Sequence, residues 1–114
     1  MIEETVINYL ISQGIAEGAV YAEVPLKDIP DRYVLVQRSS GSITDYIRQF
    51  GIYTEARSRI SKLDAAQLHE SVISTMMEIR DHTDLFRCNL NADYDAALTS
   101  TKEYRYQALW NITT

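Results

Sequence analysis

The chain has 114 residues, room for about one domain and too few for two. Hydrophobic residues make up 46% and charged residues 24%, near the globular average, which excludes general disorder. Eleven basic against sixteen acidic residues give a net charge of −5. That balance excludes a basic nucleic-acid-binding surface, which needs clustered Lys and Arg. One cysteine excludes an internal disulfide and makes a Cys-based metal site untenable. No apolar run is long enough to span a membrane as a helix. The opening Met1-Ile2-Glu3-Glu4 carries acid where a signal peptide carries base. Together these features predict a single soluble intracellular domain over residues 1–114.

Taken in chain order, Ile2, Val6, Tyr9 and Leu10 recur at helical spacing and predict a short helix over 2–13. Glu3 and Glu4 sit in its first turn, where the helix dipole favours acids, and Gly14 stops it. Val20, Ala22 and Val24 alternate with Tyr21 and Glu23, a candidate strand over 19–24. Pro25 and Pro30 bracket a loop holding Lys27 and Asp28. A second strand runs from Tyr33 to Arg38. Its Val34-Leu35-Val36 centre is apolar on both faces, as in a central strand. Ser39-Ser40-Gly41-Ser42 is a turn signal. The third strand is long, Tyr46 to Arg57, with Phe50, Ile52, Thr54 and Ala56 on one parity. Strands two and three therefore form a hairpin with a longer loop over 39–45.

Residues 62–81 predict the strongest helix. Ser61 and Asp64 fit a capping box. Ala65, Leu68, Val72, Met76 and Ile79 form one apolar stripe, widened by Ile73. Beyond it, Phe86, Cys88, Leu90, Ala92 and Tyr94 share one parity, with Arg87, Asn89, Asn91, Asp93 and Asp95 on the other. A polar loop over 96–102 follows. Then Tyr104, Tyr106, Ala108, Trp110 and Ile112 alternate with polar residues to the end. Such alternation marks an antiparallel sheet with one buried face. The expectation is an α+β fold in the order α-β-β-β-α-β-β. It has a mostly antiparallel sheet of about five strands and two helices on one face.

The chemistry of common active sites is absent from the pattern. His69 and His82 share no metal-ligand spacing. His69 reads as a surface residue, and His82 as a cation suited to a helix end. Cys88 lies on an apolar strand parity with nothing nearby to lower its pKa, so it reads as a small apolar residue. There is no phosphate-cradling Gly-rich loop and no GxSxG elbow. Asn111-Ile112-Thr113 matches a glycosylation sequon, which without a secretion signal reads as chance. Asp93 and Asp95 share a strand face. They could bind a divalent ion or act as acid and base; the plainer reading is a solvated strand end whose acids deter aggregation. No catalytic residue, metal site or cofactor is expected.

Tyrosine is the informative excess, with eight copies. Tyr9, Tyr94, Tyr104, Tyr106 and Trp110 fall on predicted core faces. Tyr46 and Tyr53 do not, and Tyr53 shares its face with Gln49, Glu55 and Arg57. Tyrosine on a polar face suits a protein interface, and solvent-exposed scatter is the alternative. Arg48, Arg57, Arg59 and Lys62 gather near this strand.

The order of elements resembles the tail terminator (tail completion) proteins of long-tailed bacteriophages, of the lambda tail terminator type. Ile2 to Leu10 looks like the family's opening helix. Tyr33-Val34-Leu35-Val36 and Asp45-Tyr46-Ile47-Arg48-Gln49-Phe50-Gly51-Ile52-Tyr53 look like its central hairpin. Ala65 to Arg80 looks like its packing helix. Tyr104-Arg105-Tyr106-Gln107-Ala108-Leu109-Trp110, after the acidic-aromatic Asp93-Tyr94-Asp95, looks like its last strand. The resemblance implies a non-enzymatic virion part, encoded by a phage or prophage and assembled in the host cytoplasm. Such proteins close into a hexameric ring on the tail tube, stop its polymerisation and face the head connector. DNA passes through the lumen without specific binding. A net negative subunit suits that passage. A ring needs two different patches on each subunit. The candidate interface residues are Arg48, Tyr53, Arg57, Arg59, Asp93 and Asp95, with Arg57 and Arg59 of one copy meeting Asp93 and Asp95 of the next. A head–tail joining or minor capsid protein of the neck is the alternative within the same class. Outside that class stands a small α+β ligand-binding domain or enzyme.

Overall fold

A computed structural model describes residues 2–44, 47–83, 87–96 and 102–113, without the side chains of residues 40, 42–44, 47, 48 and 96. Its main elements are α1 (Ile2–Ser12), β1 (Val20–Tyr21), β2 (Arg32–Thr44), β3 (Ile47–Ser58), α2 (Lys62–Met76), β4 (Arg87–Ala96) and β5 (Tyr104–Thr113). Two 3-10 turns, Ile15–Gly18 and Ile79–Asp81, stand between them. The strands form one five-stranded mixed sheet in the order β1-β2-β3-β5-β4. All pairings are antiparallel except that of β1 with β2.

α1 buries the four residues its spacing marks, Ile2, Val6, Tyr9 and Leu10. The Tyr9 hydroxyl crosses to α2 and donates to the Thr75 carbonyl at 2.6 Å. Gly14 then takes φ 77°, a left-handed conformation open to glycine at little cost. Ala16 and Glu17 follow it there, at φ 49° and 57°. This left-handed turn brings the chain alongside β2. The 19–24 strand is thereby cut to Val20–Tyr21, held parallel by the bond from Val34 N–H to the Ala19 carbonyl.

The expected turn at 39–42 is part of the ladder instead. Ser40, Gly41 and Ser42 pair with Gly51, Phe50 and Gln49. The register shifts at a bulge between Arg38 and Ser40, which leaves Ser39 as the extra residue. A Cβ on Gly41 would lie 3.6 Å from the Phe50 ring. Thr44 pairs with Ile47, so the hairpin connection is short rather than long. Asp45 and Tyr46 lie outside the described residues. β2 has thirteen residues, about 40 Å of strand at roughly 3.3 Å per residue.

α2 starts as expected, with Ser61 Oγ accepting from Asp64 N–H at 3.0 Å. The box does not close. The Asp64 carboxylate instead accepts from Ser58 Oγ at 2.6 Å and pairs with Arg32. The helix ends at Met76, five residues short of the expected 81, and the following 3-10 turn still buries Ile79. α2 packs on β3 and β5, and α1 on β1 and β2. Their apolar residues meet Val34, Val36, Ile52, Ala108, Trp110 and Ile112 in one core cluster. Within it, Trp110 Nε1 donates to Thr54 Oγ1 at 3.0 Å, which satisfies both buried polar groups.

β4 corrects the strict alternation expected there. A bulge between Leu90 and Ala92 shifts the register against β5. Before it, Cys88 and Leu90 pair with Ile112 and Trp110 on the helix side. After it, Asp93 and Asp95 pair with Ala108 and Tyr106, so the acids take the helix side. One inserted residue moves every later side chain to the other face. Tyr94 is consequently exposed on the far face, not in the core. Tyr104, at the end of the sheet, is also exposed. Phe86 lies outside the described residues.

Candidate assembly face

The sheet face opposite the helices is built by the second parity of each strand. β2 places Tyr33, Leu35 and Gln37 there. β3 adds Tyr53, Glu55 and Arg57, and β5 adds Arg105, Gln107 and Leu109. Alternation predicts a solvated face, yet Tyr33, Leu35 and Glu55 are all buried.

Two buried carboxylates organise this face. Glu103, just before β5, accepts from the Tyr33 hydroxyl at 2.7 Å and lies 3.5 Å from Arg57 Nη1 and 3.6 Å from Arg59 Nε. Glu55 accepts from Arg105 Nη1 at 3.0 Å and lies 3.3 Å from Arg57 Nε. Arg57 and Arg105 are direct cross-strand partners. Their like charges are tolerated because a carboxylate sits against each. The Arg57 guanidinium also lies over the Tyr33 ring, 5.9 Å from its centroid. Burial, then the bond to Glu103, pushes the Tyr33 hydroxyl above its ordinary value, against the pull of Arg57. Burial alone would lower the Arg57 value. Tyr33 and Glu55 outweigh it and hold the guanidinium raised, so it stays charged.

The expected interface residues fall into two groups. Tyr53 and Arg57 lie on this face, and Arg59 joins its edge through Glu103. The Tyr53 hydroxyl donates to Gln37 Oε1. Asp93 and Asp95 lie at the far edge, on the helix side. Asp93 meets the His69 ring and Asp95 pairs with Lys62 at 2.9 Å. Arg48 is opposite Ile43 in the ladder, and its side chain is outside the described residues. Arg57, Arg59, Asp93 and Asp95 each have a partner within their own chain, which a contact with a second copy has to share or displace.

Sequence reasoning missed Glu55, Glu103 and His69. Glu55 sat on a parity read as solvated, and Glu103 stood at the end of a loop. His69, expected at the surface, is 3% exposed. It sits between Asp93 and the Tyr106 ring, with which it stacks at 5.5 Å, and its Nδ1 has no hydrogen-bond partner among the described residues. Residue spacing on one helix does not reveal a carboxylate arriving from an edge strand. Cys88 is half-buried, and burial pushes its thiol up to about 11, the opposite of an activated nucleophile. His82 packs against the Tyr9 ring at 5.6 Å. Among the described residues, no group of three or more His, Cys, Asp or Glu is placed to hold a metal ion. No described helix is long and apolar enough to cross a membrane.

No family model matches the chain, and no curated protein matches it in sequence. Its fold does match solved structures. One is a chain of the virion of a native gene transfer agent particle, with a TM-score of 0.74 and 12% identity. The match covers 98% of this chain and 92% of that one. At that identity the likeness is one of fold, and it extends over nearly the whole of both chains.

Proposed function

We propose that this chain is a structural part of a phage-like virion, and within it the tail terminator. Copies form a hexameric ring on the end of the tail tube, stop its growth and present a surface to the head connector. The observation that carries this reading is the near end-to-end fold likeness to a chain of a gene transfer agent virion. The order of elements, which resembles the tail terminators, supports the narrower role. A tyrosine-rich sheet face, ordered by buried ion pairs, suits a protein that works through rigid contacts rather than a reactive cavity. The net charge of −5 suits a channel wall past which DNA moves without being held.

Electron microscopy of particles assembled without this protein tests the role. Overlong tail tubes are the expected result. Tails of normal length that lack heads indicate a neck protein instead and overturn the terminator assignment.

A further inference from the structure

The sheet has two open edges of different kinds. β4 is one, ten residues long, with strand pairing on its β5 side only among the described residues. The other is the distal part of β2. β1 pairs with Val34 and Leu35 alone, so Val36–Thr44 has no strand partner on its outer side among the described residues. A long free edge offers a row of backbone donors and acceptors, and proteins ordinarily cover it. Here the two stretches with one strand partner among the described residues have nearly equal length and lie at opposite ends of one sheet. Three antiparallel pairings separate them, so β4 runs opposite to β2. A second copy placed beside the first in the same orientation therefore sets its β2 antiparallel to β4.

The side chains agree with that placement. Arg38 shares the helix side of the sheet with Val34 and Val36; its side chain is 42% exposed although it lies 3.6 Å from Glu3 and over the Phe50 ring, contacts that a second copy's carboxylate has to share. Asp93 stands on the same side of β4, 40% exposed. Full antiparallel overlap of the two free stretches brings Arg38 of one copy beside Asp93 of the next, with Asp95 two residues along. The β4 edge carries exposed Leu90 and Tyr94 as well, on opposite faces, which such a contact covers. The geometry points to head-to-tail sheet continuation, β4 of one copy pairing with residues 36–44 of a second copy. Because the two edges differ, the contact is heterologous, the kind of contact a ring needs, rather than that of a two-fold dimer. The inference rests on the self-association proposed above and adds which surfaces carry it.

Disulfide trapping tests it, because directly opposed antiparallel Cα atoms lie about 4.5–5.5 Å apart, within disulfide range. In a Cys88→Ser background, Arg38→Cys and Asp93→Cys are made singly and together, with Trp110 fluorescence as the check on folding. The double variant, concentrated and oxidised in air, is expected to give a ladder of linked species. Each single variant is expected to give none. A linked dimer from Asp93→Cys alone overturns the head-to-tail pairing in favour of a symmetric β4–β4 contact. Hydrogen exchange on the unaltered protein provides a reading free of variants. Amides in Val36–Thr44 and Arg87–Ala96 should exchange about tenfold more slowly in the oligomer than in diluted monomer. An oligomer without linkage and without protection at either edge refutes the edge pairing while leaving the ring intact. Sedimentation as a monomer at every concentration refutes the ring and the pairing together.

Discussion

Replacing Glu55 with Gln preserves its shape and removes its charge. Glu55 is 3% exposed and accepts from Arg105 at 3.0 Å while lying 3.3 Å from Arg57. Breaking a buried pair by deleting one partner costs about 3–5 kcal/mol, because the other charge stays desolvated. Arg57 keeps Glu103 at 3.5 Å, and Arg105 is 28% exposed, so water recovers part of the loss. The low end, about 3 kcal/mol, is therefore expected. Unfolding entropy near 2.1 cal/mol/K per residue then converts this into a fall of about 12 °C in melting temperature. Thermal melts followed by circular dichroism measure it. Asp95→Asn is the control, since the Lys62–Asp95 pair is exposed on both sides and exposed pairs contribute little. Its melting temperature should match that of the parent. A fall of less than about 3 °C for Glu55→Gln, against the entropy used above, shows that the buried network does not order this face.

Four further outcomes follow from local structure. Ser61→Ala removes the acceptor for Asp64 N–H and should cost about 1 kcal/mol in urea unfolding; an unchanged midpoint refutes the cap. Glu17→Gly relieves a left-handed φ of 57° at an exposed residue, and should raise stability by roughly 0.5–1 kcal/mol despite the greater freedom of the unfolded chain. Destabilisation would show that the Glu17 side chain does something there. Cys88, at about 11 rather than 9.0, holds about a hundredfold less thiolate at neutral pH than an ordinary thiol. Its alkylation by iodoacetamide should be slower in proportion and speed up in urea. Linkage fixes the sign of the pH effect. Cys88 and Tyr33 both bind their protons more tightly folded than unfolded. The Cys88 share is complete below pH 9.0 and is lost as pH rises towards 11, and the Tyr33 share is lost only as pH rises above that group's ordinary 10.0. A urea midpoint that holds constant over that window contradicts the burial of both groups.

Much of the fold was legible because it rests on short-range periodicity. Ile2, Val6, Tyr9 and Leu10, and the stripe from Ala65 to Ile79, announce buried helix faces. They are buried in the structure because each apolar side chain has a single sheet face to meet. β5 is legible for the same reason, since Ala108, Trp110 and Ile112 all face the core. The two misread bulges share one cause. At Ser39 to Ser42 and at Asn91, composition cannot tell a turn or a regular strand from a bulge. A bulge depends on how the partner strand is aligned, and the sequence of one strand does not contain that alignment. The interface candidates were legible as residue types, with Tyr53 and Arg57 on one parity. Glu103 and Glu55, which hold the arginines, were not.

The sequence by itself determined the main helices and strands, the core stripes and the α2 cap, all set by neighbours within a few positions. The tertiary structure decided what required two distant segments to meet. It cut β1 to a parallel stub, turned Asp93 and Asp95 towards α2, and closed two carboxylates around three arginines. It also left β4 and the distal part of β2 without a second strand partner among the described residues, at opposite ends of one sheet. The physical reason is that register and long-range ion pairing are properties of strand alignment, which local propensity does not encode.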